Sequence, residues 1–329
     1  MNRRLPVLAL VVPCYNEEAA LPATIPALLG VLDSLLAAGR IAGGSRVIFV
    51  DDGSRDSSWD IVERHAAKDS RVQGFKLSFN AGAQAALMAG MMELRKELDC
   101  IISIDADLQH DLAVIPEMLQ RFSEGKDIVA GVRNNRAGDS RAKQMFSDLF
   151  YQLMKRLGTP VIEQHADFRL LGRNVLDALS CYPERNLFLR GIIGSMGFQP
   201  AIVFYVQKER EHGESKYSYW KMLSLAWNGI TSFSPVPLRI SAVLSLLTLL
   251  WAFIVAVSTL ANYFLGNPVS GWASQMLTIL FLGGIQLFCI AVLGEYTAKI
   301  YKEVKQRPYY IVEKKTSPDD GAPRAGQGN

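Results

Sequence analysis

The chain has 329 residues and a formal net charge of +3, a length that suits one large domain or a medium domain with an appendage. So small a positive excess excludes a dedicated nucleic-acid binder, which carries a strongly basic face; no nucleic-acid partner is expected. Cys14, Cys100, Cys181 and Cys289 lie far apart without Cys-x-x-Cys spacing, which argues against a disulfide framework or a zinc site and for reduced thiols.

The N-terminus, MNRRLPVLALVVPCYNEE, superficially looks like a signal peptide. Its apolar run is short, broken by Pro13 and followed by acidic residues, so a buried strand is predicted instead. That strand spans residues 7–12; residues 46–50, 72–77, 100–104 and 127–130 read as further short strands, and together the five are rich in Val and Ile and nearly continuous in hydrophobicity, as strands are when both sheet faces are covered. Between them lie predicted helices at 18–38, 57–68, 83–96 and 112–124, with Asp56 or Ser57 available to cap the second. This alternation predicts an α/β fold with a mostly parallel sheet and helices on both sides.

A second section follows. Residues 141–157 read as a helix, and 168–171 and 202–207 as strands. Residues 217–233 mix Trp and Tyr with apolar residues around Lys221, the pattern of an interfacial amphipathic helix; a core-packed helix is the alternative. From Ile240 to Gly294 no Lys, Arg, Asp or Glu occurs. A turn-like stretch at 262–268 divides this run into two spans of about 22 residues, roughly 33 Å of helix each, enough to cross a bilayer. Arg239 precedes the first span, Lys299, Lys302, Lys305 and Arg307 follow the second, and the connecting loop has no Lys or Arg. The positive-inside rule then puts both termini and the N-terminal domain in the cytoplasm, as a multi-pass protein of a bacterial inner membrane. The tail after Pro318 is polar and expected to be disordered. The predicted division is a catalytic domain over 1–210, a loop and juxtamembrane helix over 211–236, a two-helix hairpin over 237–300, and a basic segment with its tail over 301–329.

Ligands of parallel α/β sheets bind beyond the carboxyl ends of the strands, and the chain's unusual polar residues fall there. Pro13-Cys14-Tyr15-Asn16-Glu17-Glu18 follows the first strand, Asp51-Asp52-Gly53-Ser54 the second, Asp105-Ala106-Asp107-Leu108-Gln109-His110 the fourth and Gly131-Val132-Arg133 the fifth. Carboxylates gathered at one edge repel unless a cation joins them. Asp-x-Asp leaving a strand offers oxygen ligands to a hard ion such as Mg2+ or Mn2+, and a diphosphate would complete the shell. His110, His165 and His212 lack metal-ligand spacing and are expected at the surface or behind the ligands.

These motifs, with Ala166-Asp167-Phe168-Arg169 and the stretch from Arg210 to Ser218, make the sequence resemble family 2 of the glycosyltransferases, which have the nucleotide-sugar-binding GT-A fold. Within it the chain is similar to the polyprenyl-phosphate glycosyltransferases, the dolichol-phosphate mannose synthases and bacterial bactoprenol glucosyltransferases. The resemblance implies that Pro13, Tyr15 and Glu17 line the nucleobase pocket and that Asp52 contacts base or ribose. Asp105 and Ala106 would lie by the ribose and diphosphate. Asp105, Asp107 and Gln109 would hold the metal, and Arg133, Arg210 and Lys216 the phosphates. Asp167 matches the position usually proposed as catalytic base, with Asp107 and Arg210 also acting in catalysis; Asp167 pairing with Arg169 or Arg173 is the alternative. Asp111 stands where many relatives carry proline, which should alter only a helix start, since Asp is a favoured cap.

The implied reaction is inverting transfer of a hexose, with glucose from UDP-glucose preferred, to undecaprenyl phosphate at the cytosolic face. Another sugar (an aminoarabinose, an N-acetylhexosamine, or mannose from GDP-mannose) remains open. A processive polysaccharide synthase would need more spans and a Gln-x-x-Arg-Trp motif, absent here; a non-catalytic nucleotide-binding scaffold is the reading from another class. The resemblance also implies a homo-oligomer, a tetramer.

Overall fold

The computed structural model describes residues 4–134, 165–185, 187–206, 227, 230–231, 234–265 and 271–316. They form two compact units, one containing residues up to 206 together with 307–316, the other the described residues from 227 to 306.

The first unit is built on one sheet. Its strands are β1 (Leu8–Cys14), β2 (Arg46–Asp51), β3 (Val72–Leu77), β4 (Cys100–Ser103), β5 (Ile128–Arg133), β6 (His165–Gly172), β7 (Ala201–Tyr205) and β8 (Val312–Lys315). Among the described residues the order is β7-β5-β6-β4-β1-β2-β3-β8. Neighbours are parallel except where β6 pairs with β4 and β5, and β8 with β3. The helices are α1 (Leu21–Ala37), α2 (Ser58–Ala66), α3 (Ala83–Glu93), α4 (Ile115–Ser123), α5 (Arg173–Ser180) and α6 (Leu189–Ser195).

Alternation along each strand divides the core. Leu8, Leu10 and Val12 join Phe49, Ile102, Phe168 and Leu170 in a buried cluster with Leu28 and Leu32 of α1 and Met118 of α4. The opposite face receives α3, where Gly90 lets the helix lie so close that a Cβ would come 2.5 Å from a Val11 methyl. The mostly parallel sheet with helices on both sides is therefore as expected from continuous apolar strands.

Several boundaries differ from expectation. Gly131-Val132-Arg133 lies inside β5 rather than beyond it. The predicted helix at 112–124 divides into a 3-10 turn, Leu112–Val114, and α4; Asp111 caps the turn, its Oδ1 accepting the Ala113 N–H at 3.1 Å. For α2 the Ser57 side chain makes no cap bond; Asp56 Oδ1 instead accepts the Ser58 N–H at 3.0 Å. The predicted helix at 141–157 and most of 217–233 lie outside the described residues.

The second unit contains α7 (Val236–Phe264) and α8 (Trp272–Lys305). Both are long and apolar enough to cross a membrane, and their most apolar stretches are 0% and 6% buried. A soluble core helix would bury such a stretch. The helices form an antiparallel hairpin. Tyr296 Oη donates to the Ser234 carbonyl at 2.5 Å, and Ser245 Oγ lies 3.6 Å from Cys289 Sγ. Arg239 and the Lys299–Lys305 group accordingly share one end.

Within the expected basic segment residues 301–316 are described; the tail after Pro318 lies outside the described residues. α8 runs through Lys305, and the chain then returns to the first unit as β8 on the β3 edge. Thr316 Oγ1 accepts the Gly74 N–H at 2.9 Å. Tyr310 Oη donates to Glu93 at 3.2 Å, and Lys315 Nζ lies 2.9 Å from the same carboxylate. A charged four-residue edge strand has little hydrophobic signature; partner hydrogen bonds and Glu93 define it. Replacing Tyr310, only 8% exposed, by alanine is expected to cost about 3 kcal/mol. Thermal unfolding of the detergent-purified chain would show it as a lowered melting temperature; an unchanged melt would deny β8 its part in the fold.

Candidate active site

The carboxyl ends of β1 and β2 are tied into one ledge. Asn16, at φ 53°, donates its N–H to Ser54 Oγ (2.9 Å) and accepts the Arg55 N–H (2.9 Å). The Glu17 N–H donates to Ser58 Oγ at 2.8 Å. Pro13 and Glu17 are half-buried beside this ledge, and Tyr15 is 39% exposed, an aromatic face open to a planar ligand.

Asp52, 3% exposed, holds the neighbouring loop: Oδ1 accepts the Ala81 N–H at 2.7 Å and Oδ2 the Gly82 N–H at 2.9 Å. Burial raises its carboxyl from the usual range while these two N–H donors pull it down. Gly53, at φ +70°, lies against the same loop, and a Cβ there would sit 2.9 Å from the Asn80 nitrogen. Asp52 therefore fixes the start of α3 whatever else it binds.

Beyond β4 the Asp-x-Asp loop turns through Leu108, which adopts φ 54°, a costly conformation for a branched side chain and one that concentrates at functional loops. The turn brings the Gln109 N–H to Asp107 Oδ1 at 3.2 Å. Thr24 Oγ1 of α1 donates to the carbonyl of buried Ala106 at 2.6 Å, anchoring the loop from below. Asp105 is the crowded carboxylate. Its side chain keeps 53% exposure, yet the protein walls around it push its carboxyl above the usual range; His110 opposes that shift, and Asp167 and Asp107 add to it. A carboxylate at the floor of an open cleft is reached by water and still poorly solvated.

His110 lies behind Asp105, 3% exposed, stacked on Phe168 at 4.7 Å and edge-on to Tyr205 at 5.7 Å. The Asp105 N–H donates to Nδ1 at 3.2 Å, so the neutral ring carries its proton on Nε2, 3.5 Å from Asp105 Oδ2. Of the two places expected for histidines, the surface or a position behind the site's carboxylates, His110 is buried behind Asp105. The His165 side chain and His212 lie outside the described residues.

Asp167 is the third residue of β6, which runs antiparallel and so delivers its first residues to the same edge. Ser103 Oγ donates to the Asp167 carbonyl. Its carboxylate pairs with Arg169 and lies 3.3 Å from both Nε and Nη2 of Arg190. Gln84 Nε2 approaches at 3.4 Å, while Gln84 Oε1 accepts the Leu189 N–H at 3.2 Å. Of the two partners weighed from sequence, Arg169 is the one found; Arg173 pairs with Asp99 at 3.1 Å. Arg169 is 1% exposed, and burial pulls its guanidinium down from its ordinary value, with Asp167 supporting the charge. Its Nε and Nη1 have no hydrogen-bond partner among the described residues.

Arg133 ends β5 beside Tyr205, whose phenol is pushed up to about 12 by burial and by the charge of Asp105. Across the sheet edge the order is therefore Asp52, Tyr15, Asp105–Asp107, Asp167, Arg133. Arg210 and Lys216 lie outside the described residues.

A sequence model of the family described as "Glycosyl transferase family 2" matches residues 9–180, the stretch that carries every carboxylate of this edge. The chain belongs to glycosyl transferase family 2. An uncharacterised glycosyltransferase of Bacillus subtilis (strain 168) is 44% identical, covering 95% of this chain and 93% of its own. The SfII prophage-derived bactoprenol glucosyl transferase of Shigella flexneri is 38% identical over 93% of this chain and 97% of its own. Among solved structures, a mannosyltransferase of Pyrobaculum calidifontis, in complex with GDP-Man and Mn2+, aligns over 92% of this chain and 87% of its own at 14% identity and TM-score 0.41.

Sequence reasoning passed over Gln84 and Arg190 in this family 2 site. Gln84 sits in an Ala-rich helix start and Arg190 in the apolar run Phe188-Leu189-Arg190-Gly191-Ile192; a lone arginine among apolar residues was the available signal. The buried pair has a measurable consequence. Asp167→Asn leaves the Arg169 guanidinium buried without its counter-charge, an expected loss of about 3 kcal/mol. Denaturant unfolding would read this as a lower midpoint; an unaltered midpoint would show that the pair does not hold this edge together.

Proposed function

We propose that the chain transfers a hexose from a nucleotide diphosphate, with UDP-glucose preferred, to a polyprenyl phosphate, with inversion at the anomeric carbon. The observation that carries this reading is the aligned edge of carboxylates and cations joined in one chain to two lipid-length helices. The bactoprenol glucosyl transferase relatives, similar along nearly their whole length, support it.

Pro13, Tyr15 and Glu17 would receive the base, with Asp52 next to the ribose. A metal at Asp105, Asp107 and Gln109 fits the donors present. Among the described residues no three His, Cys, Asp or Glu side chains gather as a metal cage, and Mg2+ is ordinarily held by one or two carboxylates with substrate phosphates and water completing the shell. Like charge at Asp105 from Asp107 and Asp167 is the imbalance a cation would relieve. Mg2+ or Mn2+ bound there would neutralise charge on the departing diphosphate. Arg133, with Arg210 and Lys216, would hold phosphate oxygens through charge-assisted hydrogen bonds.

The acceptor's phosphate oxygen attacks the anomeric carbon, forming the new C–O bond as the bond to the nucleotide diphosphate breaks. A phosphate monoester has a second pKa of about 6 and is largely dianionic near pH 7, so the nucleophile needs little help from a base. Asp167, already engaged with Arg169 and Arg190, orients and balances cations rather than taking a proton.

A polyprenyl tail resists leaving the bilayer, at about 0.8 kcal/mol per buried CH2, so its phosphate waits at the interface. The positive end of the α7–α8 hairpin would face the cytosol, and chain segments before α7 and after α8 leave from that end. Cytosolic catalysis at a bacterial inner membrane follows. Oligomerisation into a homotetramer belongs to the same reading and rests on resemblance.

The test is a radiolabelled transfer assay with purified full-length chain, undecaprenyl phosphate, Mg2+ or Mn2+, and one donor at a time: UDP-glucose, UDP-N-acetylglucosamine, UDP-galactose or GDP-mannose. Label should enter the lipid phase with UDP-glucose, and Asp107→Asn should cut the rate on the order of 100-fold. Lipid labelling from a different donor would change the sugar, and absence of labelling from all four would remove the hexosyl reading.

A further inference from the structure

Two guanidinium groups share the Asp167 carboxylate, and they are not equivalent. Arg169 is 1% exposed and lies under the sheet edge, whereas the Arg190 side chain is 32% exposed. Both guanidinium groups face carboxylates of this edge, and of the two it is Arg190 that reaches solvent. Its Nε and Nη2 lie 3.3 Å from Asp167, which sits on β6 beside β4, the strand that leads into the Asp-x-Asp loop. The strand order runs β2, β1, β4, β6, so Arg190 lies past the proposed diphosphate position on the side away from the proposed nucleoside position.

Its placement is built rather than incidental. Arg190 is in the first turn of α6, and Gln84 of α3 accepts the Leu189 N–H one residue earlier while its amide nitrogen faces Asp167. Asp52 in turn holds the N–H groups of Ala81 and Gly82 at the start of α3. Arg190 is thus oriented through Asp167 on one side and through Gln84 on the other.

We propose that Arg190 is the residue that receives the phosphate of the lipid acceptor. This rests on the polyprenyl-phosphate reading above and assigns the acceptor end of that site to a residue. Asp167 keeps the guanidinium in place through its Nε and Nη2 while the acceptor is absent. An arriving phosphate dianion takes over part of that pairing, which brings its attacking oxygen to the end of the cleft opposite the departing diphosphate. No bond to Arg190 forms or breaks in transfer; the arginine binds and aligns.

The experiment measures equilibrium binding of undecaprenyl phosphate, and separately of the uncharged polyprenol, to the full-length protein in detergent, alongside UDP binding. Wild type, Arg190→Gln and Arg190→Lys are compared, with melting temperatures taken for each. The wild type should prefer the phosphate over the alcohol. Arg190→Gln should weaken phosphate binding about tenfold or more, as loss of a charge-assisted contact does, with polyprenol and UDP binding within about twofold of wild type. Arg190→Lys should restore part of the preference, since it keeps the charge and loses the fork. Unchanged phosphate preference in Arg190→Gln would overturn the proposal and leave the polyprenyl-phosphate reading standing. Equal loss for phosphate, polyprenol and UDP would also overturn it, by showing that Arg190 only supports the fold. A wild type indifferent to the phosphate would remove the acceptor reading itself and this assignment with it.

Discussion

Carboxylates at the carboxyl edge of a parallel sheet cannot be gathered without cations, and the architecture of the first unit follows from that constraint. Asp107 and Asp167 raise the cost of ionising Asp105. The protein answers below the edge with Arg169, buried completely against Asp167, and at the edge with Arg190. Burying an arginine is expensive and removing its partner more so. Asp167 is consequently tied to the fold before it is available to any chemistry. This explains why the antiparallel strand β6 is threaded between β4 and β5: only reversed direction brings residues 165–167 to the ligand end while residues 168–171 continue the core.

The second organising feature is a chain of hydrogen bonds running across the edge from Asp52 to Asp167. Asp52 takes the N–H groups that begin α3, Gln84 of that helix reaches Asp167 and the start of α6, and α6 carries Arg190. Each link lies between rigid elements, which hold side chains more accurately than loops do. The nucleoside end and the far end of the cleft are therefore positioned by one framework. After α8 the chain continues into β8, and residues 310–316 fasten to β3 and Glu93.

Much of this was legible in the amino-acid order. β1, β2 and β4 announce themselves as nearly continuous apolar runs because both sheet faces are covered, and the polar residues that follow them fall at the ligand edge. The apolar hairpin is equally plain, since nothing charged interrupts it. Other features were hidden for physical reasons. β8 is short, charged and defined by its partner strand. The burial of Arg169 was hidden, because arginine is seldom fully buried; the sequence offered it and Arg173 alike as partners of Asp167, and the fold selects Arg169. Gln84 and Arg190 sit in ordinary helix starts whose meaning depends on residues about 80 and 23 positions distant along the chain. His110 lacked any spacing signal because its partners, Asp105, Phe168 and Tyr205, converge from three strands.

The central claim is that the Asp-x-Asp loop is a carboxylate site completed by a cation and a nucleotide diphosphate. Titration of UDP into the purified full-length protein, with Mn2+ and again in EDTA, tests it most directly. The account predicts UDP binding at least about tenfold tighter with the metal, and loss of that difference in Asp107→Asn. Equal affinity in EDTA and in Mn2+ would contradict it.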